Sequence, residues 1–176
     1  MSRSKQKISW KDRAFQIGIP LGVSLILIQL VKLYVFTPLK ITNDFMAPTF
    51  AKDDTVYINR IFRKKNLLVG DVVLIRSPKD SRQFILARIL GKGSDAIEIQ
   101  NRKAFRNGEL VNPSLFPEPK ETNLPILPKG KSDTDHMDKV FVPARHVFVL
   151  ADNREIGVDS RDIGTISEDL IVGKVW

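Results

Sequence analysis

Phe148-Val149-Leu150-Ala151-Asp152-Asn153-Arg154, followed after four residues by Asp159-Ser160-Arg161-Asp162-Ile163-Gly164, is the stretch that decides the fold. It opens on an apolar run, Val147 to Leu150, with the length and β-branched character of a strand buried on both faces. It closes on a polar segment rich in carboxylates and guanidinium groups. Working outward, Thr55 to Ile58, Val72 to Ile75, Phe84 to Leu90 and Ala96 to Ile99 also read as strands. Ile97-Glu98-Ile99-Gln100 alternates, as a strand with one buried face does. Gly70-Asp71, Gly91 to Gly93 and Asn107-Gly108 mark turns. Five prolines between Pro113 and Gly130, then a polar run to Lys139, predict a surface excursion over 113–139. The expected body, residues 37–176, is therefore mainly β.

Before that body lies a different pattern. Ala14 to Val31 carries no charge, and as a helix it would span about 27 Å. With Lys32 snorkelling, the apolar segment extends over 14–36, enough for a bilayer core of about 30 Å. Residues 1–13 hold Arg3, Lys5, Lys7, Lys11 and Arg13 against Asp12 alone. Cations flanking a span favour the cytoplasmic side, so the N-terminus is expected inside and the β body on the outer face of the plasma or inner membrane. A cleaved secretory signal is the rival, but the apolar run is long and no small-x-small site follows at Thr37-Pro38-Leu39. A buried core helix rarely opens on a basic tail.

Composition narrows the chemistry. The chain has 176 residues, a net charge of +8, 43% hydrophobic and 27% charged residues, which is ordinary globular material. With no cysteine and two histidines, His136 and His146, disulfides, thiol catalysis and a histidine metal centre are not expected. Gly130-Lys131-Ser132 lacks the upstream glycine of a phosphate loop. The basic excess outside the tail is scattered among acids, so no nucleic-acid partner is expected.

Several segments, in order, resemble the type I signal peptidase family. Met46-Ala47-Pro48-Thr49-Phe50 is similar to its Met-x-Pro-Thr-Leu box behind the anchor. Gly70-Asp71-Val72-Val73-Leu74-Ile75 resembles its Gly-Asp-hydrophobic strand, and Leu86-Ala87-Arg88-Ile89-Leu90-Gly91 its Lys-Arg strand. Asn107-Gly108 fits its Asn-Gly turn. The opening stretch resembles its Gly-Asp-Asn-Arg…Asp-Ser-Arg box. The resemblance implies a membrane-anchored β domain cutting exported precursors after small-x-small residues, with a serine nucleophile, a lysine base and neither metal nor cofactor. Within it, Met46, Pro48, Gly70, Asp71, Arg88, Asp152, Asn153, Arg154, Asp159, Ser160 and Arg161 are the family-box structural positions.

That chemistry makes definite demands. A serine hydroxyl needs a base, a lysine is a base only when burial keeps it neutral, and a donor must hold the oxyanion. By the resemblance, the nucleophile position is Phe45 and the base position is Ala87, neither of which carries the required atom. Asn43 holds the oxyanion-support position, next to Asp44, whose charge would repel an oxyanion. Ala151 stands at a family glycine and Gly157 at a supporting serine. Thr42, Thr49 and Lys92 lie displaced from the slots. A Ser160-His146-Asp152 triad can be written, since spatial order need not follow sequence order. The expectation is a single-pass signal-peptidase-like protein without proteolytic activity, binding exported precursors or pilin-like subunits, or partnering an active signal peptidase. The alternative is an active signal peptidase using displaced residues. A self-cleaving repressor-type relative would carry a DNA-binding head in place of the apolar run.

Overall fold

The computed structural model describes residues 10–35, 37–116 and 136–176. The expected tail up to residue 9 and the expected excursion over 117–135 lie outside the described residues.

Helix α1 runs Trp10–Val35, 26 residues, or about 39 Å. Its window Ala14–Lys32 is long and apolar enough to cross a membrane, and none of it is buried against the rest of the protein. Apolar side chains such as Phe15, Ile17, Leu21, Val23, Ile26, Leu27 and Leu30 are exposed all round it. A helix packed on a soluble core would show one apolar stripe instead. Pro20 lies within the helix, and Ser24 Oγ donates to the Pro20 carbonyl at 2.7 Å.

The strands that follow are β1 (Thr37–Lys40), β2 (Thr55–Asn59), β3 (Val72–Arg76), β4 (Phe84–Lys92), β5 (Ala96–Gln100) and β6 (Lys103–Arg106). Then come β7 (Glu109–Leu110), β8 (His136–Phe141), β9 (His146–Leu150), the single turn of helix α2 (Ser160–Ile163), β10 (Ile166–Ser167) and β11 (Ile171–Val175). They form an antiparallel seven-stranded sheet, ordered β1-β2-β11-β3-β4-β9-β10, and a four-stranded sheet, ordered β7-β6-β5-β8. The mainly β expectation holds, and all five expected strands appear as β2, β3, β4, β5 and β9.

Two boundaries differ. Gly91 and Lys92 continue β4, and the turn is made by Gly93 and Ser94, the latter at φ 79°. Gly91 pairs with Phe148 of β9, and its lack of a side chain leaves room for Ile97, whose Cδ1 lies 2.6 Å from the Cβ position. Residues 136–139, expected in the excursion, pair with β5 as part of β8.

The core explains the continuous apolar runs. Val147 and Val149 of β9 join Val73, Ile75, Ala87 and Ile89 in one buried cluster, while Phe148 and Leu150 join Leu90, Ile97 and Val142 in another. A third cluster gathers Ile41, Met46, Val56, Ile58, Val72 and Leu74. Strands β4 and β9 lie side by side, Arg88 opposite Leu150 and Ile89 opposite Val149. Everything the sequence marked as a site is carried on or beside this pair.

Candidate functional site

Successive residues of a strand point to opposite faces, so β4 sends Ala87 one way and Arg88 the other. Ala87 is 0% exposed, enclosed by the apolar cluster of Leu67, Val73, Ile75 and Val149. Arg88 faces the polar box. Its Nε donates to Asp152 Oδ1 at 2.8 Å and its Nη2 to Asp152 Oδ2 at 2.5 Å, a two-pronged pair. Its Nη1 donates to the Gly70 carbonyl at 2.9 Å. Thr49 completes the network, accepting from Arg88 Nη2 at 3.2 Å and donating to Asp152 Oδ2. Arg88 thus clasps the Met-x-Pro-Thr segment, the Gly-Asp turn and the Asp-Asn-Arg segment together. Thr49, considered in the sequence only as a displaced nucleophile, is a member of this clasp.

The segment before Thr49 is pinned at its other end by backbone. Asn153 N–H donates to the Phe45 carbonyl at 2.9 Å, and Met46 is buried in the third cluster. Phe45 is half-buried, and Asn43, Asp44 and Pro48 are exposed. Asn43, expected at the oxyanion-support position, accepts from the Phe45 N–H through its Oδ1 at 3.2 Å. That closes an Asx turn and engages the backbone donor nearest the slot. Asp44 Oδ1 likewise accepts from Lys52 N–H at 3.0 Å.

The Asp-Ser-Arg segment is a second clasp. Asp159 is 0% exposed; its Oδ1 accepts from Arg161 N–H and Nε at 2.9 Å, and its Oδ2 from Arg161 Nη2 at 2.8 Å and Ala151 N–H at 2.9 Å. Asp159 also caps α2, with Asp162 returning a bond to the Asp159 N–H. Ser160 Oγ accepts from Val149 N–H at 2.9 Å. Arg154 Nη1 reaches the Arg102 carbonyl at 2.8 Å and ties the box to the smaller sheet. Asp71 accepts from Leu68 N–H at 2.8 Å and pairs with Lys174 at 2.7 Å.

The structure does not assemble the Ser160-His146-Asp152 triad. Ser160 is buried and bonded to Val149, His146 Nδ1 lies 3.0 Å from the Ala144 carbonyl, and Asp152 is held by Arg88 and Thr49. Lys92 ends β4, and its Nζ donates to the Leu67 carbonyl at 2.6 Å. Residues 151 and 157 meet directly: a Cβ on Gly157 would lie 2.1 Å from the Ala151 Cβ. Among the described residues no group of three or more His, Cys, Asp or Glu side chains could hold a metal.

The pKa values follow the contacts. Burial raises that of Asp95, but bonds from Arg106, the Lys92 N–H and Asn107 outweigh it and leave the carboxyl below its usual value. Asp169 is lowered by the hydrogen bond from Lys64, with the charges of Lys64 and Arg145 adding to it.

Comparison with known proteins agrees with this geometry. Residues 15–176 match the family model described as signal peptidase, peptidase S26. The chain is 29% identical over 167 residues to signal peptidase I U of Bacillus subtilis, covering 93% of this chain and 87% of that one. It is 28% identical to signal peptidase IB of Staphylococcus aureus, covering 89% of this chain and 84% of the relative. The crystal structure of a signal peptidase I from Enterococcus faecalis superposes with a TM-score of 0.52 at 21% identity, over 63% of this chain and 97% of that one, and shares its fold. A β domain behind an apolar helix, held by two carboxylate–guanidinium clasps and matched over nearly its whole length, belongs to the type I signal peptidase family.

Proposed function

We propose that this chain is a membrane-anchored member of the family that does not hydrolyse peptides. The observation that supports it is the pair of slots. Phe45 brings an aromatic ring where a hydroxyl is required, and Ala87 brings a methyl group, 0% exposed, where a neutral amine is required. Without a hydroxyl there is no acyl-enzyme, and without an amine no group removes its proton. The two clasps hold the scaffold in shape and leave peptide binding as its role. An extended peptide can add to the outer edge of β1, the first strand of the large sheet, as strand-addition binders do. The ligands of choice are exported precursors or pilin-like subunits, or an active signal peptidase. Helix α1 anchors the chain, with the N-terminus on the cytoplasmic side by virtue of its cations.

The test is incubation of the purified full-length protein in detergent with a precursor carrying a small-x-small site. No specific product is expected. A specific product, or a serine-directed acylating inhibitor mapped to one residue of this chain, would overturn the proposal. Product lost in Ser160→Ala would identify the displaced nucleophile.

A further inference from the structure

The apolar window Ala14–Lys32 of α1 contains three uncharged polar side chains, Gln16, Ser24 and Gln29. Side chains on a helix tilt toward its N-terminus. Gln16, the third residue of the window, is thereby directed out toward the nearer end. Ser24 Oγ donates to the Pro20 carbonyl at 2.7 Å and is satisfied within the helix. Gln29 is different. It is exposed on the helix surface, and its amide has no hydrogen-bond partner among the described residues. The window ends at Lys32, three residues or about 4.5 Å beyond it. The tilt carries the Gln29 amide away from that end and toward the middle of the window. In hydrocarbon such an amide is destabilising until another polar group answers it.

The surface around Gln29 suits a second helix. At about 100° per residue, Gly18, Gly22, Leu25, Ile26 and Gln29 fall within about 100° of arc. Nothing lies within 4 Å of the Cβ positions of Gly18 and Gly22, so the backbone is bare on that side. Small residues four apart let two membrane helices approach closely. Further along the same face, a shallow depression of about 290 Å³ is lined by Leu25, Ile26, Gln29 and Leu30. Pro20, which interrupts the backbone ladder, lies about 200° round from Gly18 and leaves this face clear. The amide also points to the occupant. A carboxamide both donates and accepts, so it is its own complement: two copies of Gln29 across a two-fold axis exchange two N–H···O bonds. The cations at and before the start of α1 give every copy the same orientation, which sets two copies parallel with Gln29 at one depth in both.

We propose that α1 pairs with α1 of a second copy of this chain, Gly18 and Gly22 giving the close approach and the two Gln29 amides hydrogen-bonded across the interface. The pairing rests on the reading of α1 as a membrane span. The chain contains no cysteine, so single-cysteine variants of the full-length protein report self-contact without background. In host membranes treated with a mild oxidant, Leu25→Cys is expected to give about fivefold or more disulfide-linked dimer than Leu27→Cys, which lies on the opposite face. Adding Gln29→Leu, or Gly18→Ile with Gly22→Ile, to Leu25→Cys should lower that yield about fivefold or more. Washing the same membranes with alkaline carbonate reads the span separately. Protein retained in the membrane without dimer, equal dimer from both faces, or a yield indifferent to Gln29→Leu would each overturn the pairing and leave the span standing. A disulfide to a different protein would give this face to another partner and overturn self-pairing. Release by carbonate would remove span and pairing together.

Discussion

A methyl group on Gly157 would stand 2.1 Å from the Ala151 Cβ and 2.7 Å from the Asn153 carbonyl oxygen, closer than packed atoms tolerate. The two departures from the family pattern, alanine at 151 and glycine at 157, therefore fit one another: the methyl on one side occupies the room left by the other. Gly157→Ser alone is expected to destabilise the domain by about 1–3 kcal/mol through overpacking. Ala151→Gly in the same chain removes the contact with residue 151 but not that with the Asn153 carbonyl, so it should recover part of that loss, with a coupling of about 1 kcal/mol in a double-mutant cycle read by urea unfolding. Additive effects would show that the two side chains do not share this space. Arg88 gives a larger effect from the same neighbourhood. The Asp152 side chain is 1% exposed, so Arg88→Met leaves a buried carboxylate facing only Thr49 and should cost about 3–5 kcal/mol. Unfolding midpoints of wild type and variant at neutral pH measure it. The residue identities needed for these clasps were legible as family boxes, but Thr49 as a clasp member was not. Nothing local to a threonine says which carboxylate, a hundred residues on, it will meet.

Among the elements, the β4–β5 connection is held by one carboxylate. Asp95 accepts from Lys92 N–H, Arg106 Nε and Asn107 Nδ2, each at 2.8 Å, and ties the β4 end to the β6–β7 hairpin. Its folded pKa lies below the usual carboxylate value, so its contribution to stability is present above that ordinary value and fades as pH falls through the folded one. Asp95→Asn should accordingly lose about 1–3 kcal/mol at pH 7 and differ less from wild type as the pH falls through the folded pKa of Asp95. Denaturation series at several pH values decide it, and a gap that grows toward acid would contradict the sign. The strands with continuous apolar or alternating runs were readable because burial on one or both faces is written in side-chain order. Those not read were β1, which carries Pro38 on a sheet edge, β11, where Gly173 sits against Ile58, and β6, β7, β8 and β10. The pairing of β11 with β2 and β3 joins residues far apart in the chain. The turn expected over Gly91 to Gly93 failed in its first two residues because Gly91 serves close packing within β4 rather than reversal.

On the scale of the whole molecule, the proposal of a chain without proteolytic activity rests on positions 45 and 87. Ala87 lies within the apolar cluster, and the Phe45 N–H is engaged by Asn43. In Phe45→Ser/Ala87→Lys the new amine would be desolvated, which favours its neutral form, yet its length must be forced into a packed site. The N–H of residue 45 would remain engaged by Asn43 Oδ1. Cleavage of a small-x-small precursor is expected to stay about 100-fold or more below that of an active relative assayed alongside. Turnover near the relative's would mean that the site had kept its catalytic preorganisation.

The sequence by itself determined the long apolar helix, five of the strands and the residue types at 45 and 87, because composition and periodicity are properties of neighbours along the chain. Tertiary structure alone decided which carboxylate each arginine clasps, that Thr49 joins the Arg88–Asp152 pair, and that the basic segment after β2 stands beside the base of α1. Those depend on sheet register, and register is set by the packing of residues far apart in the chain.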